Sequence, residues 1–327
     1  MNSFEHKVGE AFELLDDENF AKAFIGFKKL VLQASQVAKA WLGYGSAAWG
    51  LGKFEVAEQA WQKAKELEPH NSEIFLKIGY HYQGFRQLDK AQAHYEAAAA
   101  TDPVAINPRI CVALILEKFH RFTEARQVID QCFAIDRVDE QAQYVSALLC
   151  RRENKLEEAE RQFRGLIAAN PKHEYVRYAA RYELAHILDR TDRFDEAMAC
   201  LEEAKCLVRA LADPKILAKQ YDDGSARIKR AAKEYPKNIL RKWARLFPER
   251  IRHEIPRFAF LSGHPRSGKT LLEQVLGAHP EVTAIDELTV TAIAVRAVSN
   301  LSLGRPGPSF NLARQNYIKA LQRIGVY

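Results

Sequence analysis

The sequence predicts a mainly α chain: a repeat array of paired helices, followed by the N-terminal part of an α/β phosphate-binding domain. Three observations predict this. Small residues return at a fixed step of 34 across the first two-thirds. A basic, proline-punctuated stretch follows. Then an apolar run enters a glycine-bounded loop that opens a segment with helical spacing. At 327 residues with 47% hydrophobic content, the chain has material for two ordinary cores.

The array comes first. Ala23, Ala57, Ala91, Ala125 and Ala159 are each 34 apart, and Ala197 follows after 38. Twelve residues before each stands Ala11, Gly45, Gly79, Ala113, Ala147 or Ala185. Three before comes Phe20, Phe54, Leu88, Phe122, Leu156 or Phe194; four after comes Phe27, Trp61, Tyr95, Ile129, Phe163 or Leu201. This is the tetratricopeptide pattern of two helices per repeat, present here six times over residues 1–209. The small residues fall where the two helices of a pair cross closely, and the residue four positions later shares the alanine's face. Pro69, Pro103 and Pro171 recur after the second helix, where proline stops one helix before the next begins.

Each unit has an apolar face that only its neighbour covers. Stacking is therefore expected to give a right-handed superhelix with a concave groove for a peptide or protein partner. Groove candidates on the first helices are Tyr44, Tyr82, Arg109 and Tyr144, with ordinary repeat packing as the favoured alternative for each. The four extra residues before the sixth repeat, near 173–177, predict a local widening or kink.

Residues 210–256 read as a basic helical adaptor. Over 206–257 there are 14 Lys or Arg against 6 Asp or Glu, +8 of a net charge of +6, which leaves the remainder at −2. Basicity is thus local, either a solvated helical face or a positive approach to an anionic cofactor or acidic acceptor, rather than a nucleic-acid-binding composition. The five cysteines show no metal-ligand spacing and no even disulfide framework, so buried thiols in a reducing compartment are expected. The first residues lack the basic and apolar regions of a secretory signal, and no stretch reaches 18 apolar residues. These features point to a cytoplasmic protein with no membrane partner.

Residues 257–327 carry the chemistry. Residues 258–261 form a short apolar strand, and the loop holds Gly263, His264, Pro265, Arg266, Ser267, Gly268, Lys269 and Thr270. Glycines let the backbone approach an anion, and the unpartnered N–H groups of the first helical turn point at it. Leu271, Leu272, Val275 and Leu276 share one helical face, expected to pack on the strand. Gly263 to Thr270 fits the G-x-x-x-x-G-K-[ST] nucleotide loop. In that reading Lys269 reaches the terminal phosphates and Thr270 holds Mg²⁺.

The wider stretch resembles the sulfotransferases that use 3′-phosphoadenosine 5′-phosphosulfate (PAPS), closest to the protein-tyrosine-sulfotransferase-like branch with tetratricopeptide repeats. The resemblance rests on Pro265-Arg266-Ser267-Gly268, Thr270-Leu271-Leu272, Glu273-Gln274, Leu276, His279-Pro280, Val282 and Glu287-Leu288 in order and spacing. It implies sulfuryl transfer from PAPS, a nucleotide co-substrate, to an acceptor hydroxyl, possibly a protein tyrosine. Residues 264–270 would bind the 5′-phosphate, Arg266 and Lys269 would neutralise charge on the departing oxygen, and Glu287 would be the general base. No metal is implied. Two positions depart from the pattern: Lys269 replaces a threonine and Asp286 replaces a glycine, which keeps an ATP- or GTP-binding enzyme as an alternative. The later arginine and serine that hold the 3′-phosphate in such enzymes are missing after Thr270, so the domain reads as truncated. A non-catalytic repeat scaffold is the third expectation.

Overall fold

A computed structural model describes residues 3–211, 214–234, 236–238, 241, 261, 268–284, 315, 317–319 and 321–322. Among them, regular structure is helical and no strand is defined. Six helix pairs lie in α1 (Ser3–Asp16) and α2 (Phe20–Gln33), α3 (Ala38–Gly50) and α4 (Phe54–Leu67), α5 (Ser72–Gly84) and α6 (Leu88–Thr101), α7 (Ile106–Lys118) and α8 (Phe122–Ile135), α9 (Glu140–Arg152) and α10 (Leu156–Ala168), and α11 (Glu174–Arg190) and α12 (Phe194–Leu211). Then come α13 (Pro214–Glu234) and α14 (Lys269–Gly277).

The second helix of every pair begins at the periodic Phe or Leu, because the turn before it is the same six times. A three-residue turn holds one residue in the left-handed region: Glu18, Gly52, Arg86, His120, Asn154 and Asp192, with φ between 55° and 74°. The next N–H reaches back into the first helix, as in Arg121 N–H to the Leu116 carbonyl and Arg193 N–H to the Leu188 carbonyl, both 2.9 Å. These bonds satisfy carbonyls that the helix end leaves open. Glycine is the ordinary residue at such a position, yet only Gly52 is one.

The periodic alanines are fully buried from Ala23 to Ala159, and Phe27, Trp61, Tyr95, Ile129 and Phe163 are buried beside them. The small residues of the first helices are needed for this. A Cβ on Gly79 would overlap the ring of Tyr95, and one on Gly43 the ring of Phe27.

The chain divides into two compact units, residues 1–60, 84–86 and 222–327, and residues 61–83 and 87–221. In the first, α1, α2 and α3 pack together, with Phe12 edge-on to Phe27 at 5.0 Å. Trp49, Phe54 and Phe85 form a ring cluster with centroids 4.7 to 5.5 Å apart. Leu321 is also buried within this unit.

In the second unit each helix from α6 to α12 packs on the next, and the first helices also meet directly, α7 on α9 and α9 on α11. Ion pairs tie successive repeats. Arg126 grips Glu153 through two bonds of 2.9 and 2.8 Å, Arg152 pairs with Glu117, and Arg193 bridges Glu160 and Glu196.

Two features set the sixth pair apart. The four extra residues near 173–177 lengthen its first helix: α11 has 17 residues where α9 has 13. Glu140 steadies the turn before it, accepting the N–H groups of Lys172 and His173 at 2.8 Å each. Those two bonds hold its carboxyl below the usual range. Second, Phe194, expected to fill its turn as Phe54 does, is 56% exposed. Phe54 is covered by Phe85 of the pair that follows; α12 closes the periodic run.

Candidate protein interface

Tyr175, in the extra turn of α11, joins Tyr178 and Tyr182 at i, i+3 and i+7, one face of a helix. Their rings form an edge-to-face chain, 5.5 Å from Tyr175 to Tyr178 and 6.3 Å from Tyr178 to Tyr182. Tyr175 is 47% exposed and the other two are half-buried. Beneath, Tyr144 of α9 meets Tyr175 at 5.7 Å and the core ring of Phe163 at 6.0 Å. Burial pushes the Tyr144 phenol well above its ordinary range, so it stays protonated. Arg151 with Glu183 at 2.5 Å and Arg181 with Glu203 at 2.9 Å brace α11 against α9 and α12. The result is a rigid row of amphipathic rings, each with an apolar body and a hydroxyl.

The four groove candidates do not line such a surface. Tyr82 and Tyr144 are buried, Tyr82 being edge-on to Trp61 at 5.8 Å. Tyr44 stacks on Phe24 at 4.8 Å. Arg109 folds back onto the carbonyls of Ala105 and Ala99, at 2.6 and 3.4 Å. Their spacing marked repeat packing. Tyr175 was missed because it lies in the inserted turn, outside the 34-residue period; Tyr178 and Tyr182 fall at the places of Glu140 and Tyr144, 38 residues earlier, and the i, i+3, i+7 spacing of the three was the available signal.

Of the phosphate-loop residues, His264, Pro265, Arg266 and Ser267 lie outside the described residues, as do Glu287, the strand at 258–260 and Asp286. Gly268, Lys269 and Thr270 are described. Gly268 adopts φ 78°, ψ 14°, and its carbonyl accepts the first intrahelical bond of α14 from the Leu272 N–H at 3.0 Å. The apolar face of α14 does not pack as expected. Leu271 and Val275 are 68% and 61% exposed, and Leu272, Leu276 and Leu261 are exposed too. A face is buried only where a second layer meets it, and none of the described residues supplies one. The chain turns back after α14, where a Cβ on Gly277 would stand 2.9 Å from that of Ala284.

All five cysteines are free; Cys132 and Cys150 are buried, Cys111 and Cys200 half-buried, and Cys206 exposed. Burial pushes the Cys111 and Cys132 thiols up to about 11, which removes thiolate reactivity at neutral pH. Among the described residues no group of carboxylates, imidazoles and thiols could hold a metal, and no helix is long and apolar enough to cross a membrane.

Two segments match the tetratricopeptide-repeat family, residues 38–71 and 144–213. Over 135 residues the chain is 26% identical to anaphase-promoting complex subunit 3 of Schizosaccharomyces pombe, 41% of this chain but 19% of that protein. It thus spans about a fifth of the length of that relative. A tetratricopeptide repeat protein from Parabacteroides merdae superposes with a TM-score of 0.51 at 19% identity, covering 73% of this chain and 96% of that one. PilF of Pseudomonas aeruginosa gives 0.49 at 13% identity, over 67% and 97%.

Proposed function

We propose that this tetratricopeptide-repeat chain is a scaffold that holds a partner protein, with the tyrosine face of α11 as a contact surface. The observation that carries the reading is the half-exposed row Tyr175, Tyr178 and Tyr182, fixed by ion pairs on both sides. Tyrosine is enriched at protein interfaces because it offers large contact area with few rotatable bonds. A rigid helix also has little ordering entropy left to lose on binding. Repeat proteins use stacked helices as extended binding surfaces, and the family match over residues 144–213 includes α11.

The test is a photo-crosslinking residue placed in the full-length chain at Tyr175 or, as control, at Tyr221 on α13, which is also exposed. A discrete adduct with one protein from Tyr175 and none from Tyr221 is expected. Equal or absent crosslinking at both positions would contradict the reading.

A second reading has one specific support. Gly268 is in the left-handed conformation immediately before α14, so the first N–H groups of that helix precede its internal ladder. They suit an anion. In this reading Arg266, Ser267, Lys269 and Thr270 hold the 5′-phosphosulfate of PAPS, and Glu287 takes the proton of an acceptor hydroxyl. PAPS supplies the sulfuryl group. Calorimetric titration with adenosine 3′,5′-bisphosphate, beside ATP with Mg²⁺, tests it. Bisphosphate binding weakened by Arg266→Ala supports the sulfotransferase site. ATP binding that needs Mg²⁺ and Lys269 supports a nucleotide triphosphate enzyme instead, and binding of neither leaves the scaffold alone.

A further inference from the structure

The repeat register exposes a gap in the packing of the second unit. Positions 31, 35, 41 and 44 recur three steps of 34, or 102 residues, later at 133, 137, 143 and 146. In the second repeat this place is filled by two rings. Trp41 and Tyr44 lie edge to face at 6.2 Å and pack against the core that contains Val31, and Trp41 Nε1 donates to the Ser35 carbonyl at 2.8 Å.

In the fifth repeat the two rings are replaced by Gln143 and Ser146. These are too small to fill the space, and a cavity of about 500 Å³ opens between α8, α9 and α10. Phe133 and Leu166 give it apolar walls, and Gly165 leaves one side open: a Cβ there would meet no atom within 4 Å.

Two other repeats place polar side chains with partners of their own here. In the fourth, Arg109 bonds to the Ala99 carbonyl, one step of 34 before Phe133. In the sixth, 38 residues on, Gln143 and Gly165 become Arg181 and Glu203, joined at 2.9 Å. The fifth-repeat version combines a cavity with unused polar groups. Ser146 donates to Gln162 Oε1 at 3.3 Å, and Gln162 Nε2 donates to Glu158 Oε1 at 3.1 Å, so Gln162 is fixed. The amide of Gln143 makes no side-chain hydrogen bond among the described residues. Arg137, at the position of Ser35, is exposed at the cavity wall and forms no ion pair among the described residues.

From this geometry we infer that the fifth-repeat cavity is a docking pocket for one aromatic side chain, tryptophan or tyrosine, in an acidic extended segment of a partner protein. The ring takes the place that Trp41 and Tyr44 fill in the second repeat, against Phe133 and Leu166. Its N–H or hydroxyl meets the Gln143 amide. The neighbouring carboxylate of the segment meets Arg137, whose guanidinium also favours an aromatic face. A lysine or arginine in that place would be repelled by Arg137 and would lack the carboxylate that Glu203 supplies to Arg181. The inference rests on the partner-binding reading and adds the chemistry of the segment bound.

The test titrates three capped dipeptides into the full-length chain, followed by NMR shift changes: acetyl-Asp-Trp-amide, acetyl-Lys-Trp-amide and acetyl-Asp-Ala-amide. Acetyl-Asp-Trp-amide is expected to bind about tenfold more tightly than either of the others. Gln143→Trp, which restores the ring of the second repeat, abolishes that binding. Gly165→Leu, which enters open space and replaces a helical glycine by a better helix former, does the same. Arg137→Ala leaves the tryptophan preference and removes the preference for Asp over Lys. Unfolding midpoints at or above that of the parent show that the variants fold.

Binding that survives both filling variants, equal binding of all three dipeptides, or no binding at about 10 mM overturns the pocket. The crosslink at Tyr175 separates this from the wider reading: if it persists when the dipeptides fail, the scaffold reading stands and the pocket falls.

Discussion

Tyr95 occupies the space that a side chain on Gly79 would need, and its hydroxyl donates to Gln83 Oε1 at 2.6 Å on the same helix as Gly79. The glycine is therefore fixed by the ring, not by its own backbone, which is ordinary helix. Gly79→Ala forces that buried ring aside. It is expected to destabilise the chain by about 1–3 kcal/mol, because excess volume in a close-packed core costs that much. Urea unfolding read against the parent checks it. The double variant Gly79→Ala, Tyr95→Leu should recover part of the loss, as the two positions compete for one volume.

The recurring left-handed turn residue gives a second expectation. Asp192 has φ 59° and is exposed, and its conformation costs a non-glycine residue energy that glycine does not incur. Asp192→Gly should raise stability by about 0.5 kcal/mol after the entropy of the unfolded glycine is deducted. The reverse change, Gly52→Ala at φ 74°, should lower stability by about 1 kcal/mol. Thermal midpoints of the two variants should therefore move in opposite directions.

His81 makes stability depend on pH. Its ring stacks on Trp61 at 5.2 Å, and burial, with the charge of Lys77, pushes it down to about 4 from 6.5. His94, beside Tyr82 at 5.1 Å, is also held below its ordinary value by burial, with Lys65 and Lys90 nearby. Both bind protons more weakly when folded. Their contribution is fully present above pH 6.5 and is lost as pH falls towards 4, by about 3 kcal/mol for His81. Unfolding free energy measured from pH 7.5 to 4.5 should fall below 6.5, and His81→Phe should flatten that slope. An equal slope in the variant would assign the effect to other groups.

Much of the array is legible in the sequence because the period of 34 is a packing period. Alanine recurs where helices touch, and the Phe or Leu before it marks where each second helix starts. What escapes is what the period does not encode. Glu18, Arg86 and His120 look like ordinary polar residues, yet the turn geometry places them in a region that favours glycine. The extra turn of α11 reads as a disturbance of the repeat although it adds Tyr175 to the tyrosine row. Tyr82 and Tyr144 read as surface candidates because tyrosine serves core and interface alike. The cavity could have been found from register alone, by noting that Gln143 stands where Trp41 does. Of residues 257–327, Gly268 and α14 are among those described, and the apolar face assigned to packing is exposed.

The most direct test is calorimetry with the protein that crosslinks from Tyr175, purified and titrated into the full-length chain and into its Tyr175→Ala, Tyr178→Ala variant. Loss of two interface rings should weaken binding by about 2 kcal/mol or more, some thirtyfold in Kd, while the unfolding midpoint stays near that of the parent. An unchanged Kd in the variant would mean that the tyrosine row of α11 is not where this chain holds its partner.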